Sequence, residues 1–185
     1  DFDSTVIGTG GTFVSPPGWL ANETYPATDY YAVMYHRFGS PDPEFTGDTT
    51  FTTQPASGTH YVDGNLTIDT TDWSVLPGES IVVLVNGTLT INQKINLSGT
   101  GFVSFIVNGD IMVDPSVGTT YDSTTPVLEG IYITSPSGTF FTGTSTTVGS
   151  ERLVGEGTFI AGYFTLQRDL ESGSQNQTVS AELFI

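Results

Sequence analysis

Apolar and polar positions along the middle of the chain follow a pattern that repeats. Val62-Asp-Gly-Asn-Leu66-Thr-Ile68 returns as Val85-Asn-Gly-Thr-Leu89-Thr-Ile91 and as Val107-Asn-Gly-Asp-Ile111-Met-Val113, at steps of 23 (85 − 62) and 22 (107 − 85) residues. A looser copy follows, Leu128-Glu-Gly-Ile131-Tyr-Ile133, and a full one returns late as Ile160-Ala-Gly-Tyr-Phe164-Thr-Leu166. Apolar residues alternate with others inside each copy, the period of a strand with one buried face. The glycine at the third position predicts a bend where another backbone comes close. Further short apolar runs, Ile81–Leu84, Ile95–Leu97 and Phe102–Ile106, lie between the copies. Turn clusters at Leu76–Glu79, Leu97–Gly101 and Asp114–Ser116 separate them.

A motif that recurs at constant phase is what one coil of a parallel β-helix needs, because neighbouring coils pair in register. An antiparallel sandwich also has evenly spaced strands, yet nothing requires them to repeat one motif. The pattern therefore predicts an all-β chain, a single-stranded parallel β-helix (solenoid) with coils of about 22 residues. Leu66, Ile68, Leu89, Ile91, Ile111, Val113, Phe164 and Leu166 are expected to stack inward as its structural core.

The motif is missing from the first 58 residues, where Pro16-Pro17-Gly18 and Pro41-Asp-Pro43 break the chain. One helix is predicted there, from an N-cap at Thr28 to Phe38, with Gly39 at its far end. Tyr31, Met34, Tyr35 and Phe38 give it one apolar face. The end of a solenoid must be protected from edge pairing, so this helix is assigned as an N-terminal cap. The expected organisation is a capping region at 1–58 and a solenoid domain at 59–185.

Composition narrows the partners. The net charge is −16 with only four basic residues, which repels phosphate backbones and anionic headgroups; no nucleic acid partner is expected. No apolar run approaches the roughly 20 residues of a bilayer span, so no membrane insertion is expected either. The chain has no cysteine, which removes disulfides, thiolate metal sites and thiol nucleophiles. The Thr- and Gly-rich polar surface suits an extracellular or cell-surface location, reached with an export signal already removed. Five sequons make Asn22, Asn65, Asn86, Asn96 and Asn176 candidate glycosylation sites.

Catalytic chemistry has little to work with. His36 and His60 lack partners at metal-ligand spacing, and no Gly-x-Ser-x-Gly elbow is present. Asp110 with Asp114, and Asp63 with Asp69 and Asp72, are the acids that two-carboxylate hydrolysis could use, although solvated loop acids are the simpler reading. No cofactor is expected; calcium is the one ion the loop oxygens could hold. Arg168 with Asp169 or Glu182 is assigned as an ion pair that locks the last coil. The strand-like Thr5, Val6, Ile7, Phe13 and Val14 have no partner in the coil series and are assigned as an assembly strand for a neighbouring subunit.

Several segments together resemble a family. They are Trp19-Leu-Ala-Asn22, Asp29-Tyr-Tyr31, Asp63-Gly-Asn-Leu-Thr-Ile68, Val113-Asp-Pro-Ser-Val-Gly118, Leu128-Glu-Gly-Ile-Tyr132, Leu166-Gln-Arg-Asp-Leu170 and Ala181-Glu182. The family comprises uncharacterised secreted β-solenoid proteins from metagenomes of uncultivated bacteria. The resemblance implies an export signal upstream and a chain that continues past Ile185; it supplies no catalytic residue. At the level of architecture alone, the repeats are similar to bactofilin-like polymerising β-helices. The expected function is that of a non-enzymatic extracellular structural protein, a self-associating subunit of a filament or cell-surface layer. The alternative is a carbohydrate-binding or carbohydrate-active β-helix (a glycoside hydrolase or adhesin) that holds a surface glycan.

Overall fold

The structure, a computed structural model, describes residues 28–143, 152–168 and 181–185. The repeat becomes a β-solenoid because each copy supplies a strand, a tight corner and a second strand. A first, short coil holds β1 (Phe45–Thr46) and β2 (Thr49–Phe51). Two regular coils follow: β3 (Gly58–Asp63), β4 (Leu66–Ile68) and β5 (Trp73–Val75), then β6 (Ser80–Val85), β7 (Leu89–Ile91) and β8 (Ile95–Leu97). The chain continues with β9 (Phe102–Val107) and β10 (Ile111–Val113), then β11 (Leu128–Thr134) and β12 (Thr139–Phe141). It closes with β13 (Leu153–Ile160), β14 (Tyr163–Thr165) and β15 (Glu182–Phe184). One face runs β1-β3-β6-β9-β11-β13-β15 and a second runs β2-β4-β7-β10-β12-β14. β5 and β8 start a third face, which β11 joins through Leu128 beside Ile95. Every one of these strand pairings is parallel and in register, and an isolated antiparallel bridge joins Thr119 to Arg152.

The predicted inward ladder is present. Leu66, Leu89 and Ile111 stack in register, as do Ile68, Ile91 and Val113, and all six are buried. Removing such a side chain from water stabilises the fold by about 1.5–3 kcal/mol. Beside them a chain of ring contacts threads the interior from coil to coil. Phe51, Trp73, Phe105, Tyr132, Phe159 and Phe184 meet at centroid separations of 6.4, 5.6, 5.4, 5.1 and 4.9 Å. Pairs of this kind favour association beyond the area they bury.

The motif glycine sits at the corner between the first two faces. A Cβ on Gly87 would stand 2.5 Å from the Gly64 carbonyl oxygen, and one on Gly109 2.6 Å from that of Gly87. Neither distance is tolerable for a carbon atom, so the corner closes only where successive coils place glycine on glycine. Gly138 and Gly162 continue the column.

Four expectations are corrected. The solenoid starts before residue 59: β1 and β2 already pair with β3 and β4. Their sequence, Phe45-Thr-Gly-Asp-Thr49-Thr-Phe51, is a copy of the motif with Thr49 in an inward position, one short step (62 − 45 = 17) before the next. Leu128–Ile133 is not a copy of the motif: Ile131 to Thr134 pair with Ser104 to Val107, so this segment belongs to the first face. The counterpart of Ile111 is Phe140, 29 residues on, because the loop between Asp114 and Val127 lengthens the coil. Phe164 takes the predicted ladder phase against Phe140, yet Phe164 and Leu166 are 47% and 54% exposed, since no coil covers them among the described residues.

The fourth correction is the place of the helix. It spans Tyr30–Arg37 (α1), with Asp29 rather than Thr28 as N-cap, accepting from the Ala32 N–H at 3.0 Å. It lies along the outer side of the first face rather than over the end of the stack. Tyr31 packs with Tyr61, Leu84 and Ile106, which come from three successive coils, and Met34 and Tyr35 border them. Leu84 and Ile106 point away from the interior, and the apolar stripe they make is what this helix covers.

Candidate functional site

The polar side chains with chemical potential are dispersed along the rod, and most of them join one coil to the next. At the corner after the first face, Asn108 Nδ2 donates to Asn86 Oδ1 at 2.9 Å, and Asn86 Nδ2 donates to Asp63 Oδ1 at 2.8 Å. A parallel line forms one step further on. Asn65 donates to Asp48 at 2.9 Å and accepts from the Thr88 N–H at 2.9 Å. In-register stacking brings identical motif positions within hydrogen-bond reach, so side-chain amides chain together as backbone amides do.

The acids proposed for hydrolysis are engaged in the same way and do not converge. Asp110 accepts from the Thr139 N–H at 2.7 Å, and Asp72 from the Lys94 N–H at 2.9 Å. Asp69 closes a local turn at the Thr70 N–H, and Asp114 does so at the N–H and hydroxyl of Ser116. Glu129 accepts from the Leu97 N–H at 2.8 Å, while Glu79 takes the Leu76 N–H and the Gln54 amide. His60 lies between the Glu44 carboxylate at 2.7 Å and the Ala56 carbonyl at 2.8 Å, and His36 meets Ser40. No group of three or more His, Asp or Glu side chains able to hold a metal occurs among the described residues.

Arg168 is the densest polar node. It is 6% exposed, and its guanidinium donates to the Thr142 carbonyl at 2.8 Å and to the Asp114 carbonyl at 3.0 Å. Its backbone N–H donates to Glu182 Oε1 at 2.7 Å, and Thr142 Oγ1 donates to the same oxygen at 2.9 Å. The contact between Arg168 and Glu182 thus runs through the backbone N–H of Arg168 and not through the expected pairing of guanidinium with carboxylate; Asp169 lies outside the described residues. A planar guanidinium with several donors can reach carbonyls on two segments at once, and the Asp114 carbonyl takes this bond beside the one from the Val117 N–H. Arg152 does the same for the long loop, donating to the Ser123 carbonyl at 2.8 Å from a 6% exposed position. Sequence reasoning missed Arg152; a basic residue just before the apolar Leu153-Val-Gly155 in so acidic a chain was the available signal.

Two buried phenols complete the polar interior. The Tyr31 hydroxyl is held far above its ordinary pKa by burial between the helix and the first face and then by its hydrogen bond with Tyr61. Burial raises Tyr132 likewise, with the Glu129 charge adding to it, and its hydroxyl donates to the Glu129 carbonyl at 2.9 Å.

Of the sequon asparagines, Asn65 and Asn86 are exposed at the corner, with their amide nitrogens in the inter-coil bonds above. Asn96 is half-buried, with its nitrogen 3.5 Å from the Trp73 carbonyl. Asn22 and Asn176 lie outside the described residues, as do Thr5, Val6, Ile7, Phe13 and Val14 of the expected assembly strand. Among the described residues, no helix is long and apolar enough to cross a membrane.

Fold and polar network together define a parallel β-solenoid whose coils are joined side chain to side chain. Residues 36–153 match a domain family of unknown function, DUF7305, and the chain belongs to that family. Neither a curated protein nor a solved structure gives a significant match.

Proposed function

We propose that this chain is a non-enzymatic extracellular structural protein, a self-associating subunit of a filament or cell-surface layer. The observation that carries this reading is the use made of its acids and amides. Asp63, Asp72, Asp110, Glu129 and Glu182 accept hydrogen bonds from neighbouring coils. Groups held in that way stiffen a rod and are poorly placed to move protons for a substrate. The repeated coil also offers a surface that another copy can extend.

The test is sedimentation velocity with negative-stain electron microscopy at rising concentration, in low and high salt. Species larger than a monomer are expected, and salt should favour them because the net charge of −16 opposes close approach. A monomer under all conditions, or turnover of a polysaccharide that Asp110→Asn abolishes, would overturn the reading.

One surface feature supports the alternative of a glycan-binding role. A depression of about 260 Å³ on the outer side of the second face is lined by Thr90, Met112, Asp114, Pro115, Phe141 and Gln167. A sugar ring could rest on Met112 and Phe141 with hydroxyls toward Asp114 and Gln167. Titration with neutral oligosaccharides, compared between the intact chain and Phe141→Ala, decides it; no heat in either excludes glycan binding there.

A further inference from the structure

The two ends of the solenoid differ. At the first coil Phe51 is 7% exposed, and its ring meets that of Phe45 edge to face at 5.2 Å. At the last coil the inner ladder lies open: Phe164 and Leu166 are half exposed and, with Gly157, Phe159, Phe184 and Ile185, line an apolar bowl of about 440 Å³. The edges match as well. β2 and β14 are the two edge strands of the second face and run in the same sense. On the first face β15 covers only Leu153 to Gly155 of β13, which leaves Thr158 to Ile160 without a neighbour on that side among the described residues.

We infer that the bowl receives the first coil of a second copy of this chain, head to tail. The inference rests on the self-association proposed above and specifies its surface and polarity. The interface continues the one already present between every pair of coils. Carried on in register, Thr49 of the second copy falls on Phe164, Thr50 on Thr165 and Phe51 on Leu166. The first coil, with half-buried Phe45 beside Phe51, then closes over the bowl, while β2 supplies the backbone partner that β14 lacks among the described residues. A head-to-tail contact that sets each copy on the coil axis of the last leaves a free end at every step, so it propagates as a filament rather than a ring.

The absence of cysteine gives a direct test. Thr50 and Thr165 point outward from β2 and β14, with four strands between them, about 24 Å apart in one molecule. In the proposed contact they become adjacent, at the roughly 5 Å Cα spacing a disulfide spans. Thr50→Cys and Thr165→Cys proteins, each shown by circular dichroism to fold, are oxidised alone and mixed under assembling conditions. The mixture should give a crosslinked dimer, the double variant a ladder of multimers, and each single variant alone almost none. Phe164→Glu should raise the concentration needed for assembly at least tenfold. Dimers of Thr165→Cys alone would show tail-to-tail pairing, and assembly without the mixed crosslink would place the contact on another surface. Either result overturns this inference and leaves the structural reading standing. A chain that stays monomeric overturns both.

Discussion

The coils from Val62 to Val113 and those from Asp114 to Arg168 solve one problem by different means. In the first stretch the step is 22 or 23 residues, and each coil repeats the last. Glycine lies on glycine, leucine or isoleucine on leucine, and asparagine donates to the residue below it. Local repetition satisfies the backbone there. In the second stretch the loop after β10 breaks the step, and carbonyls of Asp114, Ser123 and Thr142 turn to arginines distant in sequence. Regular coils thus need only their neighbours, whereas an excursion from regularity needs a long donor brought from elsewhere.

The largest effect should come from breaking the repetitive half at its core. Leu89→Asp puts an unpaired charge into a fully buried ladder and should cost more than about 4 kcal/mol, enough to leave no cooperative thermal transition. A folded variant with a melting point within a few degrees of the parent would sink the ladder argument. Arg168→Met is next. It keeps the stem but removes two donors to carbonyls, for an expected loss of about 2–4 kcal/mol. Hydrogen exchange should accelerate at β12–β15 and hardly at all at β4–β7; equal acceleration in both halves would erase the contrast drawn here.

Asn86→Ala removes the middle rung of an exposed ladder and should cost about 1 kcal/mol. Asn86→Asp should cost more at pH 7, because it sets a carboxylate against Asp63. That added loss should shrink as the pH falls through the carboxylate range near 4, which pH-dependent melting of the two variants will show. The smallest effect is alkaline. The folded-state pKa values of Tyr31 and Tyr132 are raised, so the folded form keeps its protons above pH 10 where the unfolded chain loses them. Their contribution is therefore complete below about pH 10 and declines above it. Tyrosinate absorbance should lag for these two rings until the fold opens, and Tyr31→Phe should flatten the pH dependence. Full ionisation of all tyrosines in the folded state would contradict the burial.

Much of the solenoid was legible because its cause is local. Val62, Val85 and Val107 each precede a glycine by two residues, and that glycine is demanded by the close approach of the coil beneath. The first coil escaped notice because Thr49 stands where Leu66 and Leu89 stand later, and a threonine does not register as an apolar position. Leu128–Ile133 deceived for the opposite reason. Its glycine, Gly130 at φ +125°, marks a bend within β11 rather than the corner after the first face. The helix was legible from its apolar face, but its docking place was not. That place depends on Leu84 and Ile106 facing outward, which an uninterrupted apolar run such as Ile81–Val85 does not disclose. Asp63 and Asp110 each stand near other acids in the sequence, yet register sends each to a donor on another coil.

Order along the sequence is also order along the axis in this fold, and that has a mechanical consequence. A pull applied between Phe45 and Phe184 loads the inter-coil bonds one rung at a time, so the molecule should come apart like a zip rather than snap as a block. Each regular coil of 22 or 23 residues would release about 75 Å of chain. The force trace should be a staircase of near-equal steps through the stretch from Val62 to Val113. Where Arg168 ties Asp114 to Thr142, coils that the backbone would let go separately are tethered, and the steps should merge into one larger, stiffer event.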